Sequence, residues 1–140
     1  MMRIFLLLLT IAVLYSCKKE AEKDLSDFEA FYTKFHQDSL YQIEHITFPL
    51  EGLPANADSA ALNNDNFRWQ KEDWEMHKPF DSKNGEFEIQ FTSFGEDLII
   101  EKVMHKSGRY GMLRRFARIS GEWHLIYYAG FNRVNAGVDS

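Results

Sequence analysis

Five residues fix the first element of this chain and, through it, much of what the rest must do. Leu25, Phe28, Phe31, Tyr32 and Phe35 recur at three- and four-residue steps, the spacing of one face of an α-helix. Asp27, Glu29, Lys34 and Gln37 lie largely off that stripe. Ser26 with Glu29 fits a capping box at the start, and Asp24 is a rival cap. A face this aromatic needs a wide apolar partner, and a curved sheet lying across the helix would supply it.

The remaining sequence predicts that sheet. Asp38-Ser39 interrupts the stripe and predicts a cap for a short second helix reaching about Glu44. Residues 45–50 read as extended, because Ile46 and Phe48 alternate, and Pro49 ends regular pairing. Residues 51–66 carry Gly52, Pro54 and many Asn, Asp and Ala residues, with no clear strand or strong helix signal. A loop that long inside a compact domain is expected to be a lid, a binding loop or disordered. Trp69 and Trp74 then flank a turn or short helix.

After residue 85 the chain becomes a meander. Phe87, Ile89 and Phe91 alternate within residues 86–94. Strands are also predicted over 97–105, 110–119 and 123–131, with turns at Gly95, Gly108 and Ser120-Gly121. In the last strand Trp123, Leu125, Tyr127, Ala129 and Phe131 are expected on one face, Ile126 and Tyr128 on the other. Helix first, then meander, predicts an α+β domain: an N-terminal amphipathic helix packed on a curved antiparallel sheet.

The start of the chain points to location. Arg3 precedes an apolar run over residues 4–14, broken only by Thr10. That run is too short to span a bilayer, which takes about 20 apolar residues, and it fits a removed export signal. Leu14-Tyr15-Ser16-Cys17 resembles the lipobox of bacterial lipoproteins, and Cys17 is the one cysteine. A lone exported thiol builds no disulfide framework. Attachment of acyl chains to Cys17 gives it a role, and several chains hold a protein firmly to a membrane. Residues 1–16 are therefore expected to be a lipoprotein signal peptide, 17–23 a charged tether, and 24–140 one domain. The expected place is the cell envelope, lipid-anchored to the membrane on a periplasmic or surface face.

Phe28-x-x-Phe31-x-x-x-Phe35-x-x-Asp38-Ser39-Leu40-x-Gln42, then Ile46-x-Phe48-Pro49-Leu50, resembles an uncharacterised family of Bacteroidetes lipoproteins, domain-of-unknown-function family 4348. Trp69, Trp74 and Phe116-x-Arg118-x-x-Gly121-x-Trp123-x-Leu125 look similar to its later part. The likeness covers roughly residues 25–130. It implies a cystatin-like or nuclear transport factor 2-like cone: curved sheet around a helix, often with a pocket at the open end. Such cones include isomerases, dehydratases and non-catalytic binding modules, so fold leaves function open.

Chemistry is harder to find. The histidines, His36, His45, His77, His105 and His124, show no metal-binding spacing, and no metal or cofactor is expected. No nucleophile elbow or phosphate-cradling loop occurs. Asp38, His36 and His45 could line a pocket as acid/base groups, but a helix cap and surface histidines account for them better. No catalytic residue is assigned. Net charge is −5, which argues against nucleic acid. Bases gather late, as Lys102, Lys106, Arg109, Arg114, Arg115, Arg118 and Arg133; cross-strand pairing and an anion-attracting face both explain that. Arg114 and Arg118 share a strand face and could clamp an anion, or face solvent paired to Glu86 or Glu88. Trp69, Trp74, Tyr110 and Tyr128 could form an aromatic binding rim, though packing in the core accounts for each of them better.

The reading is a membrane-tethered, non-catalytic binding or accessory domain, monomeric. It would take an unknown small molecule or protein partner in the cone mouth, under the 51–66 loop. A small pocket enzyme of isomerase or dehydratase type, and a structural or inhibitory envelope protein, are the alternatives.

Overall fold

Residues 25–134 are described by a computed structural model. The expected signal peptide (1–16) and tether (17–23), with Cys17, lie outside the described residues. The aromatic stripe forms helix α1, Ser26–Gln37, which buries Phe28, Phe31, Phe35 and also His36. The expected capping box does not form. Leu25 occupies the cap position without a side-chain bond, so Ser26 already lies within the first turn. Asp27 and Glu29 in that turn oppose the helix dipole instead.

Asp38 ends α1 and starts α2, Ser39–Glu44, as expected. Its backbone is extended, and its carboxylate accepts from the Leu40 and Tyr41 amides, each at 3.0 Å. Those are the orphan donors a helix start presents. Strand β1, Ile46–Leu53, follows, then the single turn α3, Ser59–Leu62, strand β2, Arg68–Trp69, and a 3-10 turn, Lys71–Asp73. The meander is β3, Phe87–Phe94; β4, Leu98–His105; β5, Tyr110–Ile119; and β6, Glu122–Arg133. All four strands of the meander lie where alternation and turn residues place them.

Among the described residues the six strands form one curved sheet in the order β2-β1-β6-β5-β4-β3. It is mixed: β1 runs parallel to β6, while the other pairs are antiparallel. β1 and β6 are separated in the chain by α3, β2 and β3–β5, so no hairpin sets their relative direction, and they pair in parallel. Pro49 does not end β1. The strand continues to Leu53 through a cis Phe48–Pro49 bond, with its pairing to β6 shifted between Ile46 and Glu51.

The core lies between α1 and the concave sheet face. Phe28, Phe31 and Phe35 meet Ile46, Leu50, Ile99, Phe116, Trp123 and Leu125. Each such side chain contributes about 1.5–3 kcal/mol by leaving water. Phe116 sits edge-on to Phe28, Phe31 and Phe35, at centroid distances of 5.5, 5.8 and 5.8 Å.

Two further sequence readings need correction. Residues 51–66 are not a free lid, because β1 and α3 occupy part of the stretch. Asp58 caps α3 through the Ala61 amide at 2.8 Å. Asn132 on β6 pins the connection, donating to Pro54 O at 2.9 Å and accepting from Ala57 N at 2.7 Å. The face assignment in β6 also fails halfway. Leu125 lies opposite Phe116 and Tyr128 opposite Arg114, so β6 spends one residue more than β5 across that step. This bulge turns Tyr128 inward and Tyr127 outward, over Arg115 at 4.4 Å.

Where β1 meets β6, Gly52 lies opposite Tyr128. A Cβ there would sit 1.8 Å from the Tyr128 carbonyl oxygen, a backbone atom that cannot swing aside. Gly52→Ala is expected to lose about 3 kcal/mol, read as a lower urea midpoint. An unchanged midpoint would show that β1 does not approach β6 this closely.

Candidate functional site

A polar cluster sits in the otherwise apolar concave face. Strand alternation puts Glu101 between Ile99 and Val103 on β4, and Arg114 between Met112 and Phe116 on β5, all buried. Glu101 and Arg114 are direct cross-strand partners. Arg114 is 1% exposed and Glu101 0%.

Arginine has five N–H donors, and all five have partners here. Nε and Nη2 form a two-pronged pair with the Glu101 carboxylate, Nη2 to Oε1 at 2.9 Å. Nη2 also donates to the Tyr32 hydroxyl at 3.0 Å. Nη1 donates to His36 Nε2 at 3.0 Å and His77 Nδ1 at 3.3 Å. Tyr32 in turn donates to Glu101 Oε1 at 2.5 Å. A buried ion pair stands only when its remaining donors and acceptors are met, and here they are.

The same bonds fix the histidines. His36 accepts at Nε2 and donates from Nδ1 to the Tyr32 carbonyl at 2.7 Å. His77 accepts at Nδ1. Both are thereby neutral. Burial, then the Arg114 charge, holds His36 down to about 4. Burial, Arg114 and His36 hold His77 down to about 3. Burial raises Tyr32 well above the usual phenol range, with the Glu101 charge adding to it and Arg114 opposing. Burial alone would lower Arg114, but the Glu101 charge and hydrogen bonds outweigh it and its pKa is raised.

Gln42 carries the network to the surface. It is fully buried. Its amide donates to Phe35 O at 2.7 Å and His77 O at 2.9 Å. Its carbonyl accepts from Trp74 Nε1 at 3.0 Å and the His77 amide at 2.8 Å. One side chain thus ties α2 to the irregular segment after β2.

That segment builds a pocket. A hollow of about 320 Å³ is lined by Trp69, Asp73, Trp74, Glu75, Met76, His77 and Tyr128. Trp69 and Trp74 are perpendicular, with centroids 6.2 Å apart. Tyr128 is 5.1 Å from Trp69 and 5.7 Å from Trp74, and His77 is 4.5 Å from Tyr128. Trp69 Nε1 donates to the Tyr128 carbonyl at 2.9 Å. Both indole N–H groups therefore point into the protein, and what the tryptophans offer the pocket is ring surface.

The predicted site residues divide accordingly. Trp69, Trp74 and Tyr128 come together, half-buried. Arg114 backs them through His77, but it is neither solvent-facing nor free to clamp an anion, because every donor is occupied. Arg118 shares the strand face of Arg114 with Phe116 between them, about 13 Å away at strand spacing. It pairs with Asp27 at 2.6 Å and Asp97 at 3.3 Å, not with Glu86 or Glu88, and lies over Trp123. Tyr110 stands at the other end of β5, opposite Arg133 and outside the pocket.

His36 is buried, not a surface residue. His45 stacks on Tyr41 at 3.8 Å and near His124 at 5.2 Å. Among the described residues no group of three or more His, Cys, Asp or Glu is placed to hold a metal.

Among the described residues, two of the other hollows flank the sheet. One of about 420 Å³ lies under residues 51–65, on the Tyr127 side, where Arg68 and Glu51 pair across it at 3.3 Å. This hollow lies on the outward face of the sheet, away from the tryptophans. The other, about 430 Å³, is apolar and lies between α1 and β3–β4, against Phe28, Tyr32, Phe91 and Ile99.

No protein-family model matches the chain, and no curated protein does. Solved structures do. A cystatin-like protein from Bacteroides caccae aligns with TM-score 0.54 and 16% identity, over 73% of this chain and 74% of that one. An NTF2-like protein from Bacteroides fragilis aligns with TM-score 0.55 and 18% identity, over 81% of this chain and 50% of that one. This chain thus spans half the length of the second protein. At these identities the likeness concerns the backbone: the chain has the cystatin-like, NTF2-like α+β fold.

Proposed function

We propose that this chain is a lipid-tethered, non-catalytic binding module of the bacterial envelope, and that its ligand enters the pocket of Trp69, Trp74, His77 and Tyr128. The family reading as a Bacteroidetes lipoprotein belongs to the same proposal. One observation carries the binding part: aromatic residues from β2, the following segment and β6 converge on a hollow of about 320 Å³, within the size range of small-molecule sites. The groups behind it that could do acid/base work are fixed. Glu101 accepts three hydrogen bonds, and each histidine of the network accepts from Arg114. The tether part rests on the leader and on Cys17.

The tether and the pocket are tested separately. Cys17→Ser should move the protein from the membrane to the soluble fraction; retention in the membrane would refute the tether. Native mass spectrometry of protein extracted from its own cells should show a retained small molecule. Met76→Trp, which fills the hollow, should abolish it. Retention by that variant would place binding elsewhere.

A further inference from the structure

We infer that the aromatic pocket takes a small organic cation, an alkylated ammonium on an apolar body. This rests on the binding reading above and names its ligand class. Three features of the hollow agree. Its walls are ring faces and edges, since both indole N–H groups bond inward, and tryptophan is the best aromatic partner for a cation. Its charged lining residues are Asp73 and Glu75. Both are exposed, and neither is in an ion pair among the described residues. Nothing basic on the wall opposes a cation. His77 accepts a hydrogen bond at Nδ1 and is neutral, while the Arg114 charge behind it is met by Glu101.

An anion finds none of this. The nearest guanidinium has no donor left, and the two rim carboxylates repel it. A neutral polar ligand such as a sugar would find ring surface and carboxylate acceptors, but it gains nothing from the negative charge of Asp73 and Glu75. A quaternary or alkylated ammonium needs no hydrogen bond. It gains from the ring quadrupoles and the rim carboxylates together.

The test uses the full chain carrying Cys17→Ser, titrated with choline and with 3,3-dimethylbutan-1-ol. These probes share shape and differ in charge. Tryptophan emission and calorimetry report binding. Choline should bind about tenfold more tightly than the neutral probe, and more weakly as salt rises. The D73N/E75Q double variant should reduce the preference for choline and its salt dependence, leaving the part that comes from the rings. Competition by phosphatidylcholine vesicles would identify a lipid headgroup as the cation's source, and absence of competition a free one. Equal binding of the two probes would overturn the cation inference and leave the pocket as a binding site. Failure of both probes, with a retained ligand still lost in Met76→Trp, would also overturn it. Failure of both probes with no retained ligand would overturn the pocket itself.

Discussion

Arg114→Met will lower stability by about 3–5 kcal/mol, a large share of what a domain of this size has. The side chains are similar in length, so little packing is lost. The loss comes from Glu101, which would stay at 0% exposure with one remaining donor, Tyr32. A carboxylate cannot be left there ionised without its counter-charge. Removing both partners, as Arg114→Met with Glu101→Leu, should recover much of the loss, because a buried pair is worth little more than a well-packed apolar replacement. Arg115→Met on the adjacent exposed position should change stability by about 0.5 kcal/mol or less. Urea denaturation of the four proteins measures all of this. A single variant within 1 kcal/mol of the parent would mean that the pair is not buried in solution.

Acid will weaken the fold through its two buried histidines. His36 and His77 are held at about 4 and about 3, below the ordinary value of 6.5. Unfolded chains bind protons at these sites below pH 6.5, and the folded protein does not. Stability is therefore fully present above about pH 6.5 and drains away as pH falls toward 4 and 3. His36 alone accounts for something on the order of 3 kcal/mol, at about 1.4 kcal/mol per pKa unit. Arg114, Tyr32 and Tyr128 face the pair, and their raised pKa values keep all three protonated throughout that window. Denaturation midpoints at pH 7.5, 6 and 5 should fall steadily. His36→Gln with His77→Gln keeps an acceptor for Arg114 and should flatten the profile. An equally steep profile in that variant would assign the effect to other groups.

How much of this was legible in the sequence depends on the range of the interaction. Helical periodicity placed α1, and period-two alternation with glycine turns placed the meander, because each pattern repeats within a few residues. The parallel β1–β6 pairing was not legible, since residues 45–50 read as an extended segment without showing its partner. The 51–66 stretch looked loose because its anchor, Asn132, lies some 75 residues away. Tyr128 was placed on the wrong face because a bulge leaves no mark on alternation.

The site divides in the same way. Trp69 and Trp74 stood out by residue type, and the structure brings them together. Glu101 carried a local signal that was missed: a carboxylate in the inward register of Ile99 and Val103, where an apolar residue is expected. An inward acid implies an inward base, which would have moved Arg114 from the surface to the core. Gln42 and His77 gave no such sign, because their partners are backbone groups and side chains from distant segments.

The account turns on Arg114 using Nη1 on two neutral histidines. Long-range proton–nitrogen NMR on the imidazoles observes that arrangement directly. At pH 7 the account predicts His36 protonated on Nδ1 and His77 on Nε2, with neither ring titrating between pH 7 and 5. Either ring titrating near 6.5, or showing the opposite tautomer, would contradict it.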